Sequence, residues 1–244
     1  AITIPGMKTW IGTSGYSFKP WKGPFYPADL PDREMLRFYA SQLAAVEINN
    51  TFYSLPRATA IEGWAAQTPD SGFRFAIKAS QKITHWKRLS GVEEETRYLL
   101  QAVRPLGPRL GCVLYQLPPN LKVDRPRLEA FLDLLVTEAP DLRAAFEFRH
   151  ASWAVPEILD LLGSRGAAWV LAETDEEPLE VLLTDAPWGY VRLRREDYDE
   201  TALDLWAERL RGLGWSEAFV FFKHEDDGKG PQLAAELVRR MAAV

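Results

Sequence analysis

Eight short runs of β-forming residues, spaced by longer amphipathic or loop segments, set the tightest limit on what this chain can fold into. The runs are residues 9–13, 45–49, 73–78, 110–116, 144–148, 167–172, 189–193 and 218–222. Residues 73–78 alternate at period two; residues 110–116 are almost continuously apolar, as a strand buried on both faces must be. Helical periodicity follows at 32–43, 59–67, 91–103, 127–138, 200–213 and 232–241, and Pro156 marks a further helix start. Strands that alternate with helices pair in parallel through βαβ units, and eight such strands close a ring. The fold class expected is therefore α/β, a (β/α)8 TIM-barrel-like fold. Its weak link falls between the sixth and seventh strands, where residues 175–187 hold a short helix at best. A doubly wound open sheet is the competing architecture, and no glycine-rich dinucleotide turn supports it.

The 244 residues suit one such barrel, so a single domain over 1–244 is expected. Cys112 is the lone cysteine, set in the apolar run Leu110-Gly111-Cys112-Val113-Leu114, and reads as a buried thiol. No run approaches the ~18 apolar residues of a membrane span, and a cytoplasmic location is the default expectation. The net charge of −5 disfavours a nucleic-acid partner, though a local basic patch stays compatible with one. Nothing in the sequence demands a cofactor, and it does not speak to oligomeric state.

In a parallel barrel the chemistry gathers at the C-terminal ends of the strands. The polar residues there are Tyr16 after the first strand, Glu47, Asn49 and Tyr53 on and after the second, and Lys78 and His85 on and after the third. Gln116 ends the fourth, and Glu147, Arg149, His150 and Trp153 end the fifth. Arg192 and Arg194 close the seventh, and Lys223 and His224 the eighth. Glu47 lies between Val46 and Ile48, Glu147 between Phe146 and Phe148, and Arg192 between Val191 and Leu193. If the apolar neighbours face the helices, these three charges face the barrel interior. Charges are rarely buried unpaired, so one reading is a structural ion pair, for instance Glu147 with Arg192.

The other reading is functional. Lys78, His85, Arg149, Arg192, Lys223 and His224 would form a basin for an anion, arginine offering a bidentate fork. Glu47 and Glu147 would be the acid and base groups. Tyr16, Asn49, Tyr53, Gln116 and Trp153 would contact substrate, and Trp21, Trp86 and Trp153 would offer stacking faces. With three histidines in the chain, multinuclear clusters are excluded, and no metal is assigned. A single hard cation on Glu47, Glu147 and a third carboxylate is the remaining metal option.

Several stretches together resemble the DUF72 (YecE-like) family. They are Gly12-Thr13-Ser14-Gly15-Tyr16, Trp21-Lys22-Gly23-Pro24-Phe25-Tyr26-Pro27, Glu47-Ile48-Asn49-Asn50-Thr51-Phe52-Tyr53, Phe75-Ala76-Ile77-Lys78, Gln116-Leu117-Pro118-Pro119 and Glu147-Phe148-Arg149-His150-Ala151-Ser152-Trp153. The resemblance spans almost the whole chain and implies a TIM-barrel-like fold with no assigned activity. The barrels it is similar to suggest phosphodiester or sugar chemistry, which is fold analogy. Arg194-Arg195-Glu196 stands where many members carry His-Gly, and Lys223-His224-Glu225-Asp226 where many carry paired asparagines; both changes add charge to the mouth.

The leading expectation is an enzyme acting on a phosphorylated or otherwise anionic small substrate, such as a phosphoester, nucleotide or sugar phosphate. The competing expectations are a non-catalytic module for a nucleotide or single-stranded nucleic acid, and a single-metal hydrolase or sugar isomerase.

Overall fold

The computed structural model describes residues 1–4, 6–176 and 178–243. A two-strand antiparallel start, β1 (Ile2–Ile4) against β2 (Met7–Ser14), leads into the barrel. The other strands are β3 (Ala45–Ile48), β4 (Arg74–Lys78), β5 (Leu110–Gln116), β6 (Ala144–Glu147), β7 (Ala168–Glu173), β8 (Trp188–Leu193) and β9 (Glu217–Phe222). Strands β2 to β9 pair in sequence order, all parallel, and β9 pairs back onto β2 to close an eight-stranded ring. This is the expected TIM-barrel-like architecture.

Among the described residues seven α-helices pack outside: α1 (Met35–Gln42), α2 (Ala58–Gln67), α3 (Glu93–Val103), α4 (Arg125–Glu138), α5 (Pro156–Ser164), α6 (Glu200–Gly212) and α7 (Lys229–Ala242). Local chemistry explains several of their starts. The Asp124 and Asp199 carboxylates accept from the backbone N–H groups of Arg127 and Ala202, capping α4 and α6, and Pro156 opens α5. No helix is found among the described residues of 174–187, so the β7–β8 connection is a bare loop. Leu179 and Leu182 cover the core there instead.

Side chains alternate along each strand between two cores. Ile11, Val46, Phe75, Val113, Phe146, Leu171, Val191 and Val220 face the helices. Trp10, Ala45, Ala76, Leu114, Ala145, Tyr190, Phe219 and Phe221 fill the barrel. The alanines there leave room for the large rings, the close packing of unequal volumes that interiors require. Cys112 belongs to this inner core, fully buried as expected. At Gly111 the β4–β5 register slips by one residue, and a Cβ there would lie 2.5 Å from the Phe219 ring. Gly12 is equally constrained, since a Cβ would meet the Ala45 carbonyl. No helix is long and apolar enough to cross a membrane among the described residues.

Candidate active site at the barrel mouth

The strand ends bring Glu47, Glu147 and Arg192 together inside the barrel, each almost wholly shielded from water. Arg192 spans both carboxylates: Nη2 donates to Glu47 Oε1 at 2.8 Å and Nη1 to Glu147 Oε2 at 2.6 Å. Glu47 also accepts from Ser14 Oγ at 2.7 Å, Asn49 Nδ2 at 2.9 Å and Tyr190 Oη at 2.6 Å. Glu147 also accepts from Gln116 Nε2 at 2.9 Å and Arg149 Nε at 3.2 Å, with Arg194 Nη1 at 3.5 Å. The structural ion pair weighed in the sequence is thus present, and it is a bridge between two carboxylates.

This geometry fixes the charges. Burial alone would raise the Glu147 pKa, but Arg192, Arg149 and Arg194 outweigh it and bring it down to about 2. Burial opposes ionisation of Glu47 too, and Arg192 and the Tyr190 hydroxyl reverse that, leaving it below the ordinary carboxylate range. For Arg192 burial is outweighed by Glu47 and Glu147, which hold its proton more tightly than usual. Both glutamates are therefore ionised at neutral pH, and their lowered proton affinity makes them weak bases as well as unavailable acids.

Above this bridge opens a cavity of about 670 Å³. Its wall includes Tyr16, Asn49, Tyr53, Lys78, Gln116, Arg149 and Lys223 from the expected set, and Arg192 forms part of its floor. Glu47 and Glu147 do not line it. Arg192 and Gln116, which hydrogen-bond to them, do line it, so the two carboxylates expected as acid and base groups sit behind the wall. The Arg192 fork is likewise taken up by carboxylates, with only Nε left unpartnered and buried. Arg194 and Ser14, polar residues at strand ends outside the expected anion basin and contacts, also line the cavity. Tyr190 is absent from the expected set, although Tyr190-Val191-Arg192 at period two places it on the same face as Arg192.

Four expected contacts lie elsewhere. Trp153 is fully buried, donates Nε1–H to the Leu121 carbonyl at 2.7 Å and stacks on Phe148, so it has no free face. Trp21 is equally buried, packed on Phe18 and donating to the Glu225 carbonyl. His224 sits beneath the 195–198 loop against Tyr198 and Phe222, outside the cavity wall, and burial followed by the Lys229 charge disfavours its protonation. His85 also stays off the wall; it packs edge-on to Phe52 and accepts from or donates to Thr84 Oγ1 at 2.8 Å. Trp86 and Tyr53, by contrast, are the most exposed large aromatics, on the segments after β4 and β3.

Lys78 ends β4 on the cavity wall. Burial, then the Arg192 charge, lowers its pKa to about 8 against the pull of Glu47 and Glu147. Among the described residues no three His, Cys, Asp or Glu side chains converge as metal ligands would. The position between Glu47 and Glu147 that a hard cation would need is filled by the Arg192 guanidinium, so this donor set does not fit the single-metal arrangement.

Fold and site together define a closed parallel β/α barrel with a cation-lined mouth over a buried carboxylate–guanidinium bridge. The profile described as "Protein of unknown function DUF72" matches residues 10–244, and the chain belongs to the DUF72 family. It is 28% identical over 214 residues to the UPF0759 protein YunF of Bacillus subtilis (strain 168), covering 82% of this chain and 73% of that protein. It is similar in structure to a DUF72 family protein from Thermotoga maritima MSB8, with TM-score 0.82 and 27% identity over 96% of this chain and 99% of that one. A DUF72 family protein from Enterococcus faecalis V583 gives TM-score 0.79 at 19% identity, covering 97% and 96%. A D-psicose 3-epimerase from Clostridium cellulolyticum H10, solved with D-tagatose, gives TM-score 0.58 at 10% identity over 98% and 99%; that likeness concerns the barrel alone.

Proposed function

We propose that the barrel mouth binds a small anionic substrate, a phosphorylated or carboxylated metabolite, as an enzyme. The observation that carries this is the charge on the cavity wall. Lys78, Arg149, Arg194 and Lys223 line it, Arg192 floors it, and Glu225 is its single acidic wall residue among those described. Glu47 and Glu147 beneath neutralise only part of this charge. Arg149 and Arg194 are the groups suited to a phosphate or carboxylate, since each touches Glu147 with one nitrogen and keeps other N–H donors free. In this reading Glu47 and Glu147 anchor Arg192, and with it the floor, and serve as fixed negative charge near the reacting atoms.

The test is a titration with inorganic phosphate followed by thermal unfolding. A ligand that binds only the folded chain raises its midpoint by mass action. Wild type is expected to rise with phosphate, and a folded Arg149→Ala/Arg194→Ala double variant to rise little. No shift in wild type, or the same shift in both, overturns the reading.

Exposed Tyr53 and Trp86 favour a second reading, in which the mouth holds a nucleotide or short single strand by stacking on these rings. Binding of a short oligonucleotide that falls steeply with salt and is lost in Tyr53→Ala would select it.

A further inference from the structure

Lys78 stands apart from the other cations of the mouth. Arg149, Arg192 and Arg194 all reach Glu147, and Arg192 also reaches Glu47. Lys223 is exposed to water. Lys78 is partly buried on the cavity wall, and no carboxylate among the described residues pairs with its Nζ. Its neighbour is the face of Phe52, 4.2 Å from Nζ to the ring centroid.

The backbone beneath it is held on both sides. Thr51 Oγ1 donates to the Lys78 carbonyl at 2.7 Å, and the Ala79 N–H donates to the Leu114 carbonyl at 2.8 Å. Thr51 and Phe52 sit on one short turn, residues 50–52, so the same turn fixes the lysine's backbone and covers its amine. Burial and cationic neighbours, with no paired counter-ion, shift such an amine toward the neutral, nucleophilic form against the pull of the Phe52 ring face, which favours the ammonium. The charged groups around it are Arg192, Glu47, Glu147 and Arg149, with His85 beyond Phe52, itself disfavoured as a cation by burial and by Lys78.

We propose that Lys78 is a Schiff-base nucleophile, and that the cavity takes a small aldehyde or ketone bearing a phosphate or carboxylate. This rests on the anion-binding reading above: Arg149 and Arg194 hold the anion, and the carbonyl carbon meets Nζ. The ammonium first releases a proton to solvent. The Nζ lone pair then forms an N–C bond, the carbonyl π pair moves to oxygen, and a proton passes from nitrogen to that oxygen to give a carbinolamine. The C–O bond breaks as the nitrogen lone pair forms C=N, and the oxygen leaves as water with one added proton. Nothing is oxidised or reduced, and the product is a protonated imine, which acidifies the C–H bonds of the carbon next to it.

The experiment is reductive trapping of the full-length chain. The protein is incubated with dihydroxyacetone phosphate, reduced with sodium borohydride, which adds hydride to C=N, and mapped by peptide mass spectrometry. The peptide carrying Lys78 is expected to label about tenfold faster than those carrying Lys82, Lys87 or Lys223, and inorganic phosphate to slow it. Labelling should rise with pH toward a plateau above about 8, following deprotonation of Lys78. Lys78→Arg keeps the charge and is expected to retain the phosphate-induced rise in thermal midpoint while losing the adduct. Adducts spread evenly over the lysines, or undiminished in Lys78→Arg, overturn the nucleophile; a persisting phosphate shift would then leave the anion site standing alone. Equal trapping of uncharged dihydroxyacetone on Lys78, with no competition by phosphate, would keep the nucleophile and remove the anion reading.

Discussion

At the N-terminal end of the barrel Glu217 takes the Trp10 indole N–H at 2.5 Å and the Arg143 guanidinium at 2.5 Å, while Lys8 and Arg74 lie over the same indole. A cleft of about 740 Å³ opens beside the starts of β5 and β6, but Arg97 and Arg143 on its wall are spent on Glu138 and Glu217. At the C-terminal end the carboxylates are saturated and the cations are in surplus. One end uses charge to close the barrel around a ring; the other leaves a charged amine facing a cavity. Size does not separate these hollows. What separates them is the balance of charge on the wall: Arg97, Arg104 and Arg143 stand with Glu138 and Asp141 in the cleft, whereas the mouth sets five cations against Glu225.

Substitutions at the two ends sharpen that contrast. Arg192→Met should have the largest effect. It strips the shared partner from two buried carboxylates, and such losses cost about 3–5 kcal/mol, to be read from urea unfolding. If the loss is under about 1 kcal/mol, the bridge is not what holds the mouth.

Acid should act on the same bridge. Glu147 is held at about 2 when folded, below the ordinary carboxylate value it has when unfolded. Its contribution is therefore complete above roughly pH 4.5 and fades as pH falls toward 2, where the unfolded chain binds the extra proton. Glu147→Gln should be less stable at pH 7 and show a shallower acid limb between pH 5 and 2. A parallel limb would assign acid sensitivity to other carboxylates.

At the closed end, Glu217→Gln keeps an acceptor for the Trp10 indole and removes the charge facing Arg143. A cost of about 1 kcal/mol is expected, with the phosphate response untouched. Loss of that response would mean that the two ends are coupled.

Lys78→Met removes no ion pair and relieves a partly buried ammonium, so stability at neutral pH should hold or rise. Its mark is in alkali. The folded chain holds the Lys78 proton only to about pH 8, whereas the unfolded chain holds it to its ordinary value near 10.4. Between these the unfolded state binds more protons, so wild-type stability gains a rising component with pH. That component should vanish in Lys78→Met, as followed by urea unfolding at pH 7, 8, 9 and 10.

Much of this architecture is legible in the residue order because alternation is local. All eight barrel strands fall within two residues of their sequence-predicted ends, and Leu110–Gln116 matches at both. The bare β7–β8 loop is legible for the same reason: residues 175–187 lack helical periodicity. The β1 hairpin is not, since Ile2–Ile4 is too short to carry a pattern. The inward face of Glu47, Glu147 and Arg192 follows from period two, but their meeting does not. It depends on β3, β6 and β8 facing one another across a closed ring, which no local window contains. Burial of Trp21 and Trp153 is hidden likewise, because the loops that hold them fold back onto the barrel. Residue type and its place at a strand end mark Lys78 as an anion binder; its lack of a counter-ion is visible only once Arg192 is seen to occupy both glutamates.

The bare β7–β8 connection has a consequence for how the barrel is reached in time. Loop-closure entropy grows with the length of chain between partners, and this crossover is the shortest of those joining neighbouring barrel strands. The two strands nonetheless align over four register positions, from Val170 opposite Tyr190 to Glu173 opposite Leu193. The pair should therefore form early, with Val170→Ala slowing refolding more than it speeds unfolding. The ring then closes late, at the β2–β9 seam between opposite ends of the chain, and the Glu47–Arg192–Glu147 bridge is completed only once the strands that carry it have met.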